Sequence, residues 1–117
     1  MREYLFRGKD EFGWLIGDHI EEDGQHFIKT REGIFPVKAE TVGEYTGLKD
    51  KNGNKIFEGD IVKSYWQENT ATIGFIKYVN CLCRFTIVEH RVPYGFDDTT
   101  PLEVIGNITD NKNLLED

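Results

Sequence analysis

Apolar residues along the chain fall in short clusters broken by glycine and acidic residues, a pattern that predicts strands and tight turns rather than helices. A brief apolar run, Tyr4-Leu5-Phe6, leads to a polar turn at Gly8-Lys9-Asp10, and residues 14–20 read as a strand. Asp23-Gly24 suits a two-residue hairpin turn, whose positive backbone angles glycine tolerates and aspartate accepts less readily. That placement sets Ile20 opposite Phe27, Glu21 opposite His26 and Asp18 opposite Lys29, so one register yields an apolar pair and two charge-compatible pairs. His19 and His26 are then not opposite one another, and nothing requires them to share a face. After Arg31-Glu32-Gly33 comes Ile34-Phe35-Pro36-Val37, where Pro36, lacking a backbone donor, marks an edge strand or a strand end.

The middle of the chain carries its strongest turn signal, Asn52-Gly53. Val42-Gly43-Glu44-Tyr45 is strand-like, and a hairpin tip at Asn52-Gly53 sets Asp50 opposite Lys55 and Leu48 opposite Phe57. Glu58-Gly59-Asp60 bends the chain into Ile61-Val62, a strand that Tyr65-Trp66 continue. Residues 71–79 and 82–88 read as strands linked near Asn80-Cys81, and residues 102–105 supply the last. Between them, residues 89–101 are too rich in turn formers and polar groups for regular structure. His90, Arg91, Tyr94, Phe96, Asp97 and Asp98 therefore form the candidate interaction loop. A short helix beginning near Thr109 or Asp110 and anchored by Leu114 and Leu115 closes the chain. Internal repeats are not visible. Closely spaced strands with short turns suggest an all-β fold, a small barrel or sandwich.

Composition adds limits to this picture. A chain of 117 residues fits one domain, or two small β subdomains sharing a core. Aromatic residues at 13% supply that core with side chains suited to pleated strands, and 30% charged residues surround it with a solvated surface. No apolar run is long enough to cross a bilayer, and Met1-Arg2-Glu3-Tyr4 leads into no signal-peptide core, so the expected location is cytoplasmic, without membrane contact. The net charge of -7 disfavours nonspecific nucleic-acid binding, which rewards a basic surface. Arg2, Arg7 and Lys9 are interleaved with Glu3, Asp10 and Glu11, which reads as a mixed solvated surface. Tyr65, Trp66, Tyr78 and Arg84 are the residues that would form a stacking face for single-stranded nucleic acid.

Reactive groupings are sparse in the sequence. Cys81 and Cys83, in an extended segment, point to one face and would make a strained disulfide, so reduced thiols are expected, and no Cys/His cluster completes a four-ligand zinc site. His19, His26 and His90 match no metal or nucleophile spacing, and Asp97-Asp98 reads as a solvated carboxylate pair. Phosphate loops and nucleophile elbows are missing from the sequence. The expectation is a protein that is not an enzyme, with no catalytic, cofactor or metal residues.

Three motifs point to a family: Val42-Gly43-Glu44-Tyr45-Thr46-Gly47-Leu48-Lys49-Asp50-Lys51-Asn52-Gly53, then Ile56-Phe57-Glu58-Gly59-Asp60-Ile61-Val62, and Glu103-Val104-Ile105-Gly106-Asn107-Ile108. With Arg2, Phe6 and Arg7 at the start and Asn111, Leu114 and Leu115 at the end, the chain resembles the YopX family over nearly its whole length. The resemblance implies a phage or prophage protein, largely β, with an SH3-like barrel subdomain and a tendency to self-associate. It implies no activity and brings no catalytic or binding residues with it. The expected architecture is a single domain over residues 1–117. It joins an N-terminal β-hairpin subdomain, about residues 1–41, to an SH3-like part at about 42–117 that ends in the short helix. The expected function is that of a non-enzymatic accessory protein of the bacterial host cytoplasm, a homo-oligomer that contacts a phage or host protein. The alternative is a nucleic-acid-binding accessory factor.

Overall fold

A computed structural model describes residues 5–67 and 70–115, apart from the side chains of Trp66 and Gln67. Arg2, Tyr4 and the Trp66 side chain, which enter the patterns above, lie outside the described residues. The chain divides into two compact units, Met1–Gly47 and Leu48–Asp117, the division falling inside strand β5 (Gly43–Lys49).

In the first unit, β1 (Phe6–Asp10), β2 (Gly13–Glu22), β3 (Gln25–Thr30) and β4 (Gly33–Val37) follow one another as an antiparallel meander. A 3-10 turn at Ala39–Thr41 then returns the chain so that β5 pairs beside β1, giving the order β4-β3-β2-β1-β5. The β2–β3 hairpin turns on Asp23 and Gly24, with φ of 53° and 81°, and its register is the one read from the sequence: Ile20 opposite Phe27, Glu21 opposite His26, Asp18 opposite Lys29.

The first turn is displaced from its expected place. Gly8-Lys9-Asp10 belongs to β1, and the chain reverses at Asp10-Glu11-Phe12-Gly13 instead. Gly8 serves a close approach, since a Cβ there would sit 2.8 Å from Val37 Cγ2. Asp10 starts the reversal: its Oδ1 accepts the backbone N–H of Phe12 at 2.7 Å and of Gly13 at 3.0 Å, and Gly13 has φ of 140°. The β3–β4 turn is built alike. Thr30 Oγ1 accepts the N–H of Glu32 at 3.1 Å, and Gly33 has φ of 145°.

In the second unit, β6 (Lys55–Phe57) precedes β7 (Asp60–Gln67), β8 (Thr70–Val79), β9 (Arg84–Glu89), β10 (Val92–Gly95) and β11 (Leu102–Asn107). The last five form an antiparallel sheet in the order β10-β9-β8-β7-β11. Ile56, Val62, Ile76, Ile87, Phe96 and Leu102 make its core, with Leu48, Phe85 and Val104 packed against them. Each unit thus sets four consecutive strands in a meander and brings a fifth back beside the first. The sequence, which shows no internal repeat, hides this shared order. Among the described residues the sheets are open, and no closed barrel forms.

Four further expectations are corrected. The Asn52-Gly53 turn closes between Asp50 and Asn54, whose backbone groups bond at 2.8 Å, because the Asp50 carboxylate gathers the turn's N–H groups instead of facing Lys55. Residues 92–95 form strand β10, paired to β9 after a tight turn at His90 and Arg91, where the sequence suggested irregular loop. Cys81 lies in a 3-10 turn (Asn80–Leu82) and Cys83 caps it with φ of 52°, so the pair is not extended; both thiols are free and exposed. The terminal helix is a 3-10 turn at Lys112–Leu115, since Asn107 Oδ1 accepts the N–H of Thr109 and Asp110 and holds that stretch in a separate turn.

Candidate interaction surfaces

The candidate loop resolves into parts with different tasks. His90 and Arg91, with φ of 48° and 71°, form the two-residue turn between β9 and β10, in a left-handed conformation that disfavours residues with a Cβ by about 1–2 kcal/mol each. Both are exposed, as is Tyr94 on β10. Phe96 points inward and is only 7% exposed, so it serves the core of the second unit and not its surface. Asp97 starts a turn: its Oδ1 accepts from the Thr99 hydroxyl and N–H, and these bonds hold its carboxyl below the usual range. Asp98 is exposed beside it. His90 and Arg91 also line a cleft of about 460 Å³ with Ile73, Phe75, Val88 and Leu114.

Among the described side chains of the proposed stacking face, Tyr78 and Arg84 do not come together. Tyr78 pairs with Phe85 across β8 and β9, and their rings meet edge-on at 5.2 Å, so neighbouring Arg84 falls on the opposite face. Arg84 instead donates to the Phe96 carbonyl at 3.2 Å. Tyr65 donates its hydroxyl to Glu103 Oε1 at 3.0 Å, with Lys51 Nζ 4.2 Å from its ring centre.

Two groupings in the first unit escaped the sequence reading. His19 Nε2 and His26 Nδ1 lie 2.8 Å apart, with rings stacked 3° from parallel. The register contained the signal: Glu21 shares a face with His19 and stands opposite His26, so the two histidines are diagonal neighbours on one face. Burial, then the charge of His26, lowers the His19 pKa against the opposing pull of Glu21. On β1 and β2, Lys9 pairs with Trp14, and the Arg7 guanidinium lies 4.7 Å and the Lys9 ammonium 5.8 Å from the indole centre. Beyond Trp14, at the turn, Phe12 is 89% exposed and borders a cleft of about 430 Å³ walled by Trp14, Leu15, Phe35 and Pro36.

Among the described residues, no three His, Cys, Asp or Glu side chains are placed to hold a metal ion, and no helix is long and apolar enough to cross a membrane. The family model described as YopX protein matches residues 7–116. No curated protein matches the chain. Among solved structures, protein EF1440 from Enterococcus faecalis aligns with a TM-score of 0.60 at 22% identity, covering 99% of this chain and all of that one, a likeness that shows a common fold alone.

Proposed function

The chain belongs to the YopX family, and we propose that it is a non-enzymatic accessory protein of phage or prophage origin, acting in the host cytoplasm by self-association and contact with other proteins. The observation that carries this reading is the division of labour among its side chains. Asp10, Asp50, Asp60 and Asp97 all direct carboxylate oxygens at backbone N–H groups of turns, and so serve the fold. Large apolar side chains face outward from strands and turns: Phe12, Ile16 and Ile34 in the first unit, Val92 and Tyr94 in the second. Apolar surface held outward on regular backbone is what association removes from water.

The order β10-β9-β8-β7-β11, a meander with its fifth strand returned beside the first, supports reading the second unit as SH3-like. Such modules present edges and grooves to partners, an analogy of fold only. Sedimentation velocity from about 10 μM to about 1 mM, the range in which small interfaces dissociate, should show a rising sedimentation coefficient. A monomer at every concentration refutes self-association. The Arg7–Trp14–Lys9 cluster favours nucleic acid as a second reading. Salt-dependent retardation of a labelled oligonucleotide supports it, and no retardation at low salt removes it.

A further inference from the structure

The β1–β2 turn places an aromatic side chain in water without a structural need for it. Phe12 is 89% exposed, yet its backbone is held by two bonds from the turn to Asp10 Oδ1. The β3–β4 turn provides an internal control. It uses the same construction, a side-chain oxygen at the first position and glycine at the fourth, and at the position equivalent to Phe12 it carries Glu32. A charged residue therefore satisfies this turn, and the phenyl ring answers some other requirement. Beside it lies the cleft walled by Trp14, Leu15, Phe35 and Pro36, to which Phe12 itself contributes one rim.

Resting on the self-association proposed above, we infer that the occupant of this cleft is Phe12 of a second copy of the chain, docked about a two-fold axis that passes between the two phenyl rings. A two-fold contact requires that the projecting group and its receptor lie on the same patch, close enough for both to engage at once, and the turn meets that condition. Charge fits the same arrangement. Glu11 is exposed next to Phe12, and exposed Lys38 adjoins the far end of the turn, its backbone N–H bonded to the Lys9 carbonyl at 3.0 Å. Two-fold docking brings each Glu11 toward the other copy's Lys38. The contact is small. Two phenyl side chains at about 150–200 Å² each, with the cleft walls they cover, bury roughly 600–1,000 Å², below the about 1,200 Å² at which stable interfaces begin. An interface of this size belongs with weak, transient contacts.

Sedimentation equilibrium on the intact chain and on F12E tests the inference, because glutamate is the residue that the sister turn already carries and leaves the fold intact. The expected result is a dimer for the parent protein and a Kd raised at least about 30-fold for F12E, with an unchanged melting temperature. E11K and K38E should each weaken the dimer, and the double exchange E11K/K38E should restore it. A parent dimer that F12E leaves unaltered overturns this interface while self-association stands. A parent protein that stays monomeric at about 1 mM overturns both. A monomer that floats with phosphatidylcholine–phosphatidylglycerol vesicles through Phe12 overturns the second copy as the occupant.

Discussion

Asp50→Asn tests whether one carboxylate ties the first turn of the second unit to its last strand. Asp50 is 7% exposed. Its Oδ1 accepts the N–H of Asn52 at 2.9 Å and of Asn54 at 2.8 Å, while Oδ2 accepts the N–H of Val104 at 2.9 Å and the Asn54 side-chain amide at 3.2 Å. Asparagine keeps the shape but, in either amide orientation, turns an NH₂ group toward one of these two pairs of donors. A donor stranded in this way costs about 1–3 kcal/mol, and losing the charge weakens the surviving bonds by about 1 kcal/mol more. The sum, about 3 kcal/mol, lowers the melting temperature of a chain this size by about 10 °C, measured by calorimetry at pH 7 and checked by urea titration. The pH dependence carries a sign. Burial raises the Asp50 pKa, but the bonds from Val104, Asn54 and Asn52 together outweigh it and leave the folded value below the ordinary 3.8. The unfolded carboxylate therefore takes up its proton first on acidification. The stabilisation is complete above about pH 3.8 and is lost as the pH falls through the lower folded value, so the gap between parent and variant narrows there. A variant within about 2 °C of the parent at pH 7, or a gap that ignores pH, refutes this account.

A Cβ at Gly17 would overlap the Lys29 carbonyl oxygen, which backbone pairing holds in place, so Gly17→Ala should cost about 2–3 kcal/mol by urea titration; an unaltered midpoint contradicts the close approach. Ser64 is fully buried and its hydroxyl finds no partner among the described residues, so Ser64→Ala should leave stability unchanged or raise it by up to about 1 kcal/mol, and a loss beyond that size exposes a missed bond. The folded pKa of His19 lies below 6.5, which makes the unfolded state the better proton acceptor. The stabilisation is present above pH 6.5 and lost as the pH falls through the folded value. NMR titration of the His19 ring should give a midpoint under 6.5 that rises in His26→Gln; a native midpoint at or above 6.5 is the contrary result.

Where the sequence proved legible, local chemistry and long-range pairing agree. Asp23-Gly24 dictates a turn whose register sorts apolar from charged pairs, and the β2–β3 hairpin follows it residue for residue. Where the reading failed, a side chain or a distant strand decided the outcome. Gly8 resembles a turn residue but serves the approach of Val37, and Asp10 makes the reversal further on. Asn52-Gly53 marks the correct turn, yet Asp50 gathers N–H groups on both sides of Gly53 and draws the closure to Asn54. Strand β10 was invisible because His90 and Arg91 take left-handed angles that local preference assigns to glycine or asparagine. Phe12 carried only the signal of an aromatic residue next to a turn glycine, and its exposure depends on the turn's true position.

The outer strands bear on the self-association proposed above. β4 and β10 are the outermost strands of their meanders, and each carries a proline, Pro36 and Pro93. In a two-residue hairpin the closing pair exchanges hydrogen bonds, and the pairs beyond it alternate between bonded and non-bonded. Counting from Glu89 and Val92, Pro93 opposite Val88 is non-bonded; counting from Thr30 and Gly33, so is Pro36 opposite Phe27. At such positions the backbone nitrogen faces away from the partner strand and toward the open side. Each proline thus removes a donor that an incoming strand would use, and removes none from its own sheet. The two units share this device as they share their strand order. Strand addition is thereby disfavoured at β4 and β10, and the self-association proposed above is assigned instead to a projecting side chain, Phe12, which is the most exposed of the exposed large apolar residues.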